Sequence, residues 1–152
     1  MIMESEEIIE KDKLIEKLRL SFCVRNTSAQ VIEASEKAIK FANIRTTKAR
    51  GIYYCWGSGI DPKTYTGFRY QEEFKRRDDE LPLPEIRNAI VRTLLDNGPL
   101  GEDDLLVQTC RTFGYQRLGP NLRKRLSEGI DFAVSDRKIR LNKQKQYELR
   151  EA

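Results

Sequence analysis

An internal repeat with a period of 91 residues limits the fold of this chain more than any other feature of its sequence. Aligning residues 12–42 with residues 103–133 superimposes six identical residues, which are Asp12, Leu14, Phe22, Ile39, Phe41 and Ala42 on Asp103, Leu105, Phe113, Ile130, Phe132 and Ala133. Most of these positions are apolar and follow the spacing of a buried helix face. The sequence therefore predicts two related units in tandem.

The second unit, residues 83–152, has the clearer pattern. Pro84 suits the first turn of a helix that ends before Gly98, an acidic run at residues 102–104 begins a second helix, and Gly119-Pro120 opens a third. Residues 137–149 alternate polar with apolar side chains and predict two strands joined by a basic loop. The predicted inward positions are Ile86, Ala89, Ile90, Thr93, Leu94, Leu105, Leu106, Thr109, Cys110, Phe113, Leu122, Leu126, Gly129, Ile130 and Ala133. This order of elements is that of a winged helix-turn-helix, so we expect a mostly α fold of the α+β class.

The first unit, residues 1–56, is interpreted as a degenerate copy, because the chain before residue 12 is too short for a full first helix and its turn. Helical periodicity covers residues 5–43, with Thr27 or Ser28 as an N-cap, and residues 51–56 predict a strand. If the second wing is three residues longer than the first, Tyr53 aligns with Tyr147. Residues 57–82 are rich in glycine, proline and charge and predict a connector between the two units, and Tyr65, Phe68, Tyr70 and Phe74 indicate that it lies on the surface of one of them. The inward positions expected here are Ile8, Ile9, Leu14, Ile15, Leu18, Phe22, Val31, Ala34, Ala38, Ile39 and Ala42.

Composition excludes several classes of site. The chain has no histidine, which removes histidine acid–base catalysis, Ser-His or Cys-His nucleophile pairs and histidine metal ligands. Its three cysteines form no C-x-x-C pair and are expected to be reduced and partly buried. It has no phosphate-binding G-x-x-x-x-G-K-[ST] loop and no apolar run near the roughly 20 residues of a membrane span. We therefore expect a cytoplasmic, non-catalytic protein without metal or cofactor.

The positive charge is concentrated in one stretch. Residues 111–150 contain 11 basic and 4 acidic residues and so carry +7, whereas the whole chain carries +4 and the remainder therefore −3. In a winged helix this stretch is the turn, third helix and wing, where such folds contact duplex DNA. The predicted phosphate contacts are Arg117, Arg123, Lys124, Lys138, Arg140, Lys143 and Lys145, and Asn121 is a weaker candidate for reading base edges.

Two adjacent motifs resemble a known family. Residues 98–106, Gly-Pro-Leu-Gly-Glu-Asp-Asp-Leu-Leu, precede residues 112–119, Thr-Phe-Gly-Tyr-Gln-Arg-Leu-Gly. With their surroundings over residues 82–141, they resemble the C-terminal domain of unknown function of large bacterial helicase- and nuclease-related proteins, in which a helix ends in G-F-x-R-x-G. The resemblance implies a module of a DNA-processing system whose helicase or nuclease parts lie on the same or another chain. The first unit departs from this pattern, since Cys23, Asn26 and Ser28 stand opposite Gly114, Arg117 and Gly119.

Three alternatives remain open at this level. The same fold can serve as a protein-docking or homodimerisation module without DNA binding, because mixed charge runs are usually solvated helix faces. Asp61 with Glu73-Phe-Lys75 has the spacing of a metal-dependent nuclease, although both lie in the predicted connector without flanking strands. Trp56 with Tyr53 and Tyr54 has the composition to stack on bases, but such clusters more often close a core.

Overall fold

The computed structural model describes Met3, residues 6–71 and residues 76–151. It divides into two compact units, Met1–Tyr65 and Thr66–Ala152, and each combines helices with a small antiparallel sheet. The described part of the chain is therefore an α+β protein, which confirms the broader fold class. No helix in these ranges is long and apolar enough to cross a membrane.

The first unit has the element order β-α-α-β-β. Its three strands form one antiparallel sheet in the order β1-β3-β2. The elements are β1 (Ile8–Glu10), α1 (Lys11–Ser21), α2 (Ala29–Phe41), β2 (Arg45–Ala49) and β3 (Ile52–Trp56). The predicted strand and the Ser28 cap are confirmed, since the Ser28 hydroxyl accepts the backbone N–H of Val31 at 3.3 Å.

The predicted helical faces of the first unit are wrong at several positions. Ile8 and Ile9 lie in strand β1, where Ile9 pairs with Cys55, and their side chains alternate to opposite faces of the sheet. Phe22 is exposed rather than inward, and so are Ala34, Ala38 and Ala42. A run of two adjacent isoleucines suits a short strand as well as a helix, and periodicity alone does not separate the two.

The core of the first unit lies on both faces of its sheet. On the helix side, Leu14, Ile15 and Ile39 pack with Ile9 and Cys55. On the other side, Tyr54 and Trp56 are buried with Ile8, and the Trp56 ring contacts the Tyr65 ring edge-on at 5.4 Å. Of the aromatic cluster in this strand, only Tyr53 is exposed, so the core interpretation of Tyr54 and Trp56 is confirmed.

The second unit follows the predicted order throughout. Its elements are a 3-10 turn (Asp78–Glu80), α3 (Leu83–Asn97), α4 (Glu102–Thr112), α5 (Pro120–Ser135), β4 (Ile139–Leu141) and β5 (Tyr147–Leu149). All fifteen predicted inward positions of the three helices are buried. The two strands form an antiparallel hairpin, and Leu100 adds an isolated bridge to Tyr147.

The repeat is present in the bounds of the elements as well as in the sequence. Helices α1 and α4 begin and end 91 residues apart, and α2 and α5 begin 91 residues apart. The second residue after each of α1 and α4 has a left-handed backbone, with φ 57° at Cys23 and 86° at Gly114. At each end the next backbone N–H returns to the carbonyl five residues earlier. Cys23 therefore adopts a backbone conformation that its counterpart position fills with glycine.

The strand pairing corrects one detail of the predicted repeat. Ile9 pairs with Cys55, and Leu100, 91 residues after Ile9, pairs with Tyr147. Cys55 rather than Tyr53 is thus the counterpart of Tyr147, two residues from the predicted alignment. Among the cysteines, Cys55 and Cys110 are buried and free, Cys23 is exposed and free, and burial raises the pKa of the two buried thiols.

The predicted connector, residues 57–82, is not a separate segment. Its first part packs on the first unit, where the Tyr65 hydroxyl donates to the Glu7 carboxylate at 2.7 Å. Its second part belongs to the second unit, where Leu81 is fully buried and Phe68 contacts the Phe113 ring at 5.6 Å. Glycine and charge broke the periodicity of this stretch, but Leu81 is a core residue, and Tyr65 and Phe68 are half-buried against the rings of Trp56 and Phe113.

A buried carboxylate ties this second part to helix α3. Glu85 is fully buried and accepts hydrogen bonds from the guanidinium groups of Arg69 and Arg76 at 2.7 to 3.2 Å, and from the Arg69 backbone N–H at 2.7 Å. Burial raises the pKa of Glu85, but the hydrogen bonds from Arg76 and Arg69 outweigh it and hold the pKa below its usual value. Glu85 is therefore ionised at neutral pH, between two arginines.

Candidate nucleic-acid interface

The turn between α4 and α5 is held from both sides. The Gly114 N–H donates to the Arg111 carbonyl at 2.9 Å, and the Tyr115 hydroxyl donates to the Arg76 carbonyl at 2.9 Å. Burial raises the pKa of Tyr115 to about 12, so this hydroxyl remains a donor. The half-buried Gly114 and Tyr115 thus fix the turn, while Arg117 is exposed and makes no ion pair with any described residue.

Helix α5 begins without a negative group of its own. Its N-cap is Gly119, which offers no side-chain hydrogen bond, and the first turn contains no acidic residue. The free N–H groups and the helix dipole leave partial positive charge at this end. Asn121 and Lys124 are exposed in the first turns, and Lys124 makes no ion pair within the described ranges.

The groove between α4 and α5, however, is acidic. It encloses about 490 Å³ and is lined by the carboxylates of Glu102, Asp103, Glu128 and Asp131, against two cations, Arg123 and Lys124. The Arg123 guanidinium donates to the Asp103 carboxylate at 2.9 Å. The outer surface of α5 is therefore mixed in charge, and the +7 of this stretch does not form a continuous positive face along the helix.

The β4–β5 loop presents its cations differently. The loop is folded around Asn142, whose side-chain oxygen accepts the backbone N–H groups of Gln144 and Gln146 at 3.0 Å each. Its backbone N–H donates to the Gln146 carbonyl at 2.8 Å. Lys143 and Lys145 are exposed in this closed loop and have no acidic partner among the described residues. Two ammonium groups thus project from a loop whose backbone is already ordered.

The base of the hairpin contains one neutralised and several free cations. Arg140 donates to Glu148 at 2.8 Å, and hydrogen bonds from Asn142 and Arg140 lower the pKa of Glu148. Lys138 is exposed, and its carbonyl accepts the Arg150 N–H at 2.9 Å, which places these two basic residues side by side.

Sequence reasoning placed Arg150 and Arg137 in the basic stretch but omitted both from the candidate contacts. Pairing of the two predicted strands around a five-residue loop places Arg150 opposite Lys138. Arg137, with φ 57°, is exposed between the end of α5 and Lys138. The hairpin base therefore offers more cations than the sequence analysis assigned to it.

The predicted contacts thus fall into two groups. Arg123 and Arg140 are engaged in exposed ion pairs, which contribute little stability and compete with phosphate. The others are exposed without an ion pair in the described part of the chain, and these are Arg117, Asn121, Lys124, Lys138, Lys143 and Lys145. Most of the free charge lies on the hairpin and the turn rather than on the exposed face of α5.

The nuclease-like pattern is only partly within the described residues. Glu73 and Lys75 lie outside them, and Asp61 is in an exposed turn where its carboxylate accepts the Lys63 N–H at 3.0 Å. No cluster of three or more acidic or cysteine side chains suited to a metal ion occurs in the described ranges. The described residues therefore provide no arrangement of metal ligands that supports the nuclease alternative.

Comparison with protein-family models, with curated proteins and with solved structures finds no match for this chain. The similarity to the helicase- and nuclease-related C-terminal domain consequently stays a prediction.

Proposed function

We propose that the chain is a non-catalytic DNA-binding module whose second unit contacts the phosphates of duplex DNA through the β4–β5 hairpin. The observation that carries the proposal is the ordered loop that presents Lys143 and Lys145 without acidic partners among the described residues, beside Lys138 at the hairpin base. Fixed cations favour phosphate contact, since each one that meets a phosphate releases a counterion. In this proposal the module serves a cytoplasmic bacterial DNA-processing system, as the family resemblance implies.

The proposal includes a tandem winged-helix fold. Three observations support it, namely the shared order of helices and hairpin, the strand order β1-β3-β2 in the first unit, and the Leu100–Tyr147 bridge, which adds a third strand position beside β5 in the second. The first unit corresponds to the second without a counterpart of α3 among its described residues.

Contact with phosphates is better supported than reading of bases. A helix that reads the major groove needs free donors on its exposed face. On α5, Arg123 is paired with Asp103, and four carboxylates line the adjoining groove. We therefore propose binding with little sequence preference, in which Arg117, Lys124 and the hairpin lysines contribute charge.

The salt dependence of DNA binding tests this proposal. Reversing both loop lysines (Lys143→Glu with Lys145→Glu) is expected to weaken binding to a labelled duplex of about 20 base pairs and to reduce the slope of log Kd against log salt by about 1.8, or about 0.9 per lost phosphate contact. Fluorescence anisotropy between about 50 and 200 mM salt measures both.

The matched control reverses two exposed lysines of the first unit that make no ion pair among the described residues, Lys40→Glu with Lys63→Glu. It produces the same change in net charge and should alter the slope much less. Absence of wild-type binding at about 50 mM salt, or an equal loss in both double variants, would contradict specific use of the hairpin.

The non-catalytic part of the proposal has its own test. Purified protein with supercoiled plasmid and magnesium or manganese is expected to leave the plasmid intact on an agarose gel. Cleavage that disappears in a Glu73→Ala variant would instead identify a metal-dependent nuclease.

A further inference from the structure

Two phenylalanines of the repeat are buried in the second unit and exposed in the first. Phe113 and Phe132 are buried in the second unit, at 0% and 5% exposure. Their counterparts in the repeat, Phe22 and Phe41, are 76% and 95% exposed. Identical residues at identical positions of the repeat differ because described residues cover them in the second unit and leave them uncovered in the first.

In the second unit the covering element is mainly helix α3. Its Ile86 side chain fills the space beside Gly129, where a Cβ atom would overlap the Ile86 Cγ2. Arg87 of the same helix lies over the Phe132 ring, with 5.9 Å between guanidinium carbon and ring centroid. The Phe68 ring closes over Phe113. A helix with an aliphatic face is therefore the element that this surface packs against.

In the first unit the corresponding surface is open. We call the exposed residues Phe22, Ala38, Phe41 and Ala42 the open face; their counterparts Phe113, Gly129, Phe132 and Ala133 are all buried. Ala38, Phe41 and Ala42 are three and four positions apart at the end of α2 and therefore share one side of it. Alanine side chains there allow a second helix to approach closely. Exposed apolar clusters of this kind commonly mark interaction sites.

The open face also restricts its occupant. Ala38 has a Cβ atom where the second unit has only the hydrogen of Gly129, so the residue facing it must be smaller than Ile86. Arg25, three residues after Phe22, and Lys40, directly before Phe41, are exposed and make no ion pair with described residues. An occupant with acidic residues beside its apolar face is therefore electrostatically complementary.

We propose that the open face of the first unit binds an amphipathic helix of a partner protein, with small and aliphatic residues on its apolar face and acidic residues beside it. The bound helix occupies the position that α3 occupies in the second unit. This interaction is separate from the proposed DNA contact, which uses the hairpin of the second unit.

A peptide that copies the sequence of α3 tests the proposal directly. The probe is a fluorescent peptide of residues 82–98 with Ile86→Ala and with Arg92→Glu, which gives it the acidic charge of the proposed partner. It is stapled between positions 91 and 95 to hold it helical, and its binding to the full chain is followed by anisotropy. It should bind wild-type protein, and Phe41→Asp or Phe22→Asp should weaken binding roughly tenfold or more, as for a central interface aromatic. Leu95→Asp, which changes an exposed apolar residue of a helix outside the open face, should leave binding unchanged.

The fold of each variant is checked by circular dichroism. If either aspartate variant unfolds, Ala38→Arg provides a second way to block the face, because an exposed helix position tolerates arginine. Failure of the wild type to bind the peptide, or equal binding by wild type and Phe41→Asp, overturns the proposal. A wild-type dimer that Phe41→Asp converts to a monomer, without peptide binding, also overturns it and assigns the face to a second copy of the chain.

Discussion

Phe113→Ala is expected to destabilise the second unit by about 3–5 kcal/mol, whereas Phe22→Ala at the same position of the repeat should change the stability of the first unit by less than about 0.5 kcal/mol. Phe113 is fully buried and contacts the rings of Phe68 and Tyr115 at 5.6 and 6.3 Å, so its removal leaves a cavity. Phe22 is 76% exposed, and its removal leaves none.

Urea unfolding followed by two signals measures this difference. The single tryptophan, Trp56, is buried in the first unit, so its fluorescence reports that unit, while far-UV circular dichroism reports both. Phe113→Ala should shift the dichroism midpoint to lower urea, and Phe22→Ala should move neither signal. A Phe22→Ala loss comparable to that of Phe113→Ala would show that Phe22 is covered in solution and would contradict the open face.

These paired residues also show how far the sequence predicts the fold. The helix periodicity and the cap signals give the bounds of α2, α3, α4 and α5 closely, because each of these helices has an apolar stripe and a recognisable start or end. They do not give the exposure of Phe22. An apolar residue at a core position of a helix pattern indicates that its side chain is suited to burial. Whether another element packs over that side chain depends on the tertiary structure.

The candidate interface was predictable to a similar degree. The sequence located the positive charge and the basic loop, because charge is a property of composition. It did not give the pairing of Arg123 with Asp103 or of Arg140 with Glu148, since these acidic residues lie 20 positions before and 8 positions after their partners in the chain. The difference between a free and a neutralised arginine is thus a tertiary property. It narrows the proposed contact, which the sequence spread over the turn, α5 and the hairpin, mainly to the hairpin and the turn.

Residues 66–82 were the largest omission, and Glu85 explains why. A charged residue in the first turn of a helix ordinarily indicates an exposed face with a favourable dipole. Here the carboxylate is buried, and Arg69 and Arg76 pair with it. Both arginines come from a stretch that has no helix or strand periodicity. Long-range charge pairing of this kind leaves no local signal, so glycine and proline dominated the interpretation.

Glu85→Gln is expected to destabilise the second unit by about 3–5 kcal/mol, because the neutral amide removes the buried negative charge that pairs with both Arg69 and Arg76. Arg69 is 4% exposed, so water screens this charge little. Glu128→Gln is the matched control, since Glu128 pairs with Arg125 at 2.9 Å but is 44% exposed, and its loss should cost less than about 1 kcal/mol. The dichroism midpoint in urea at neutral pH measures both variants.

The same carboxylate should make stability depend on pH in a defined direction. The pKa of Glu85 is lowered in the folded protein, so its contribution is fully present above the usual glutamate value of about 4.3 and is lost as the pH falls through the lower folded value. Wild-type protein should therefore lose more stability between neutral and acid pH than Glu85→Gln, and the two urea midpoints should converge. Parallel pH profiles, or a neutral-pH midpoint of Glu85→Gln equal to that of Glu128→Gln, would show that the two arginines do not depend on this charge.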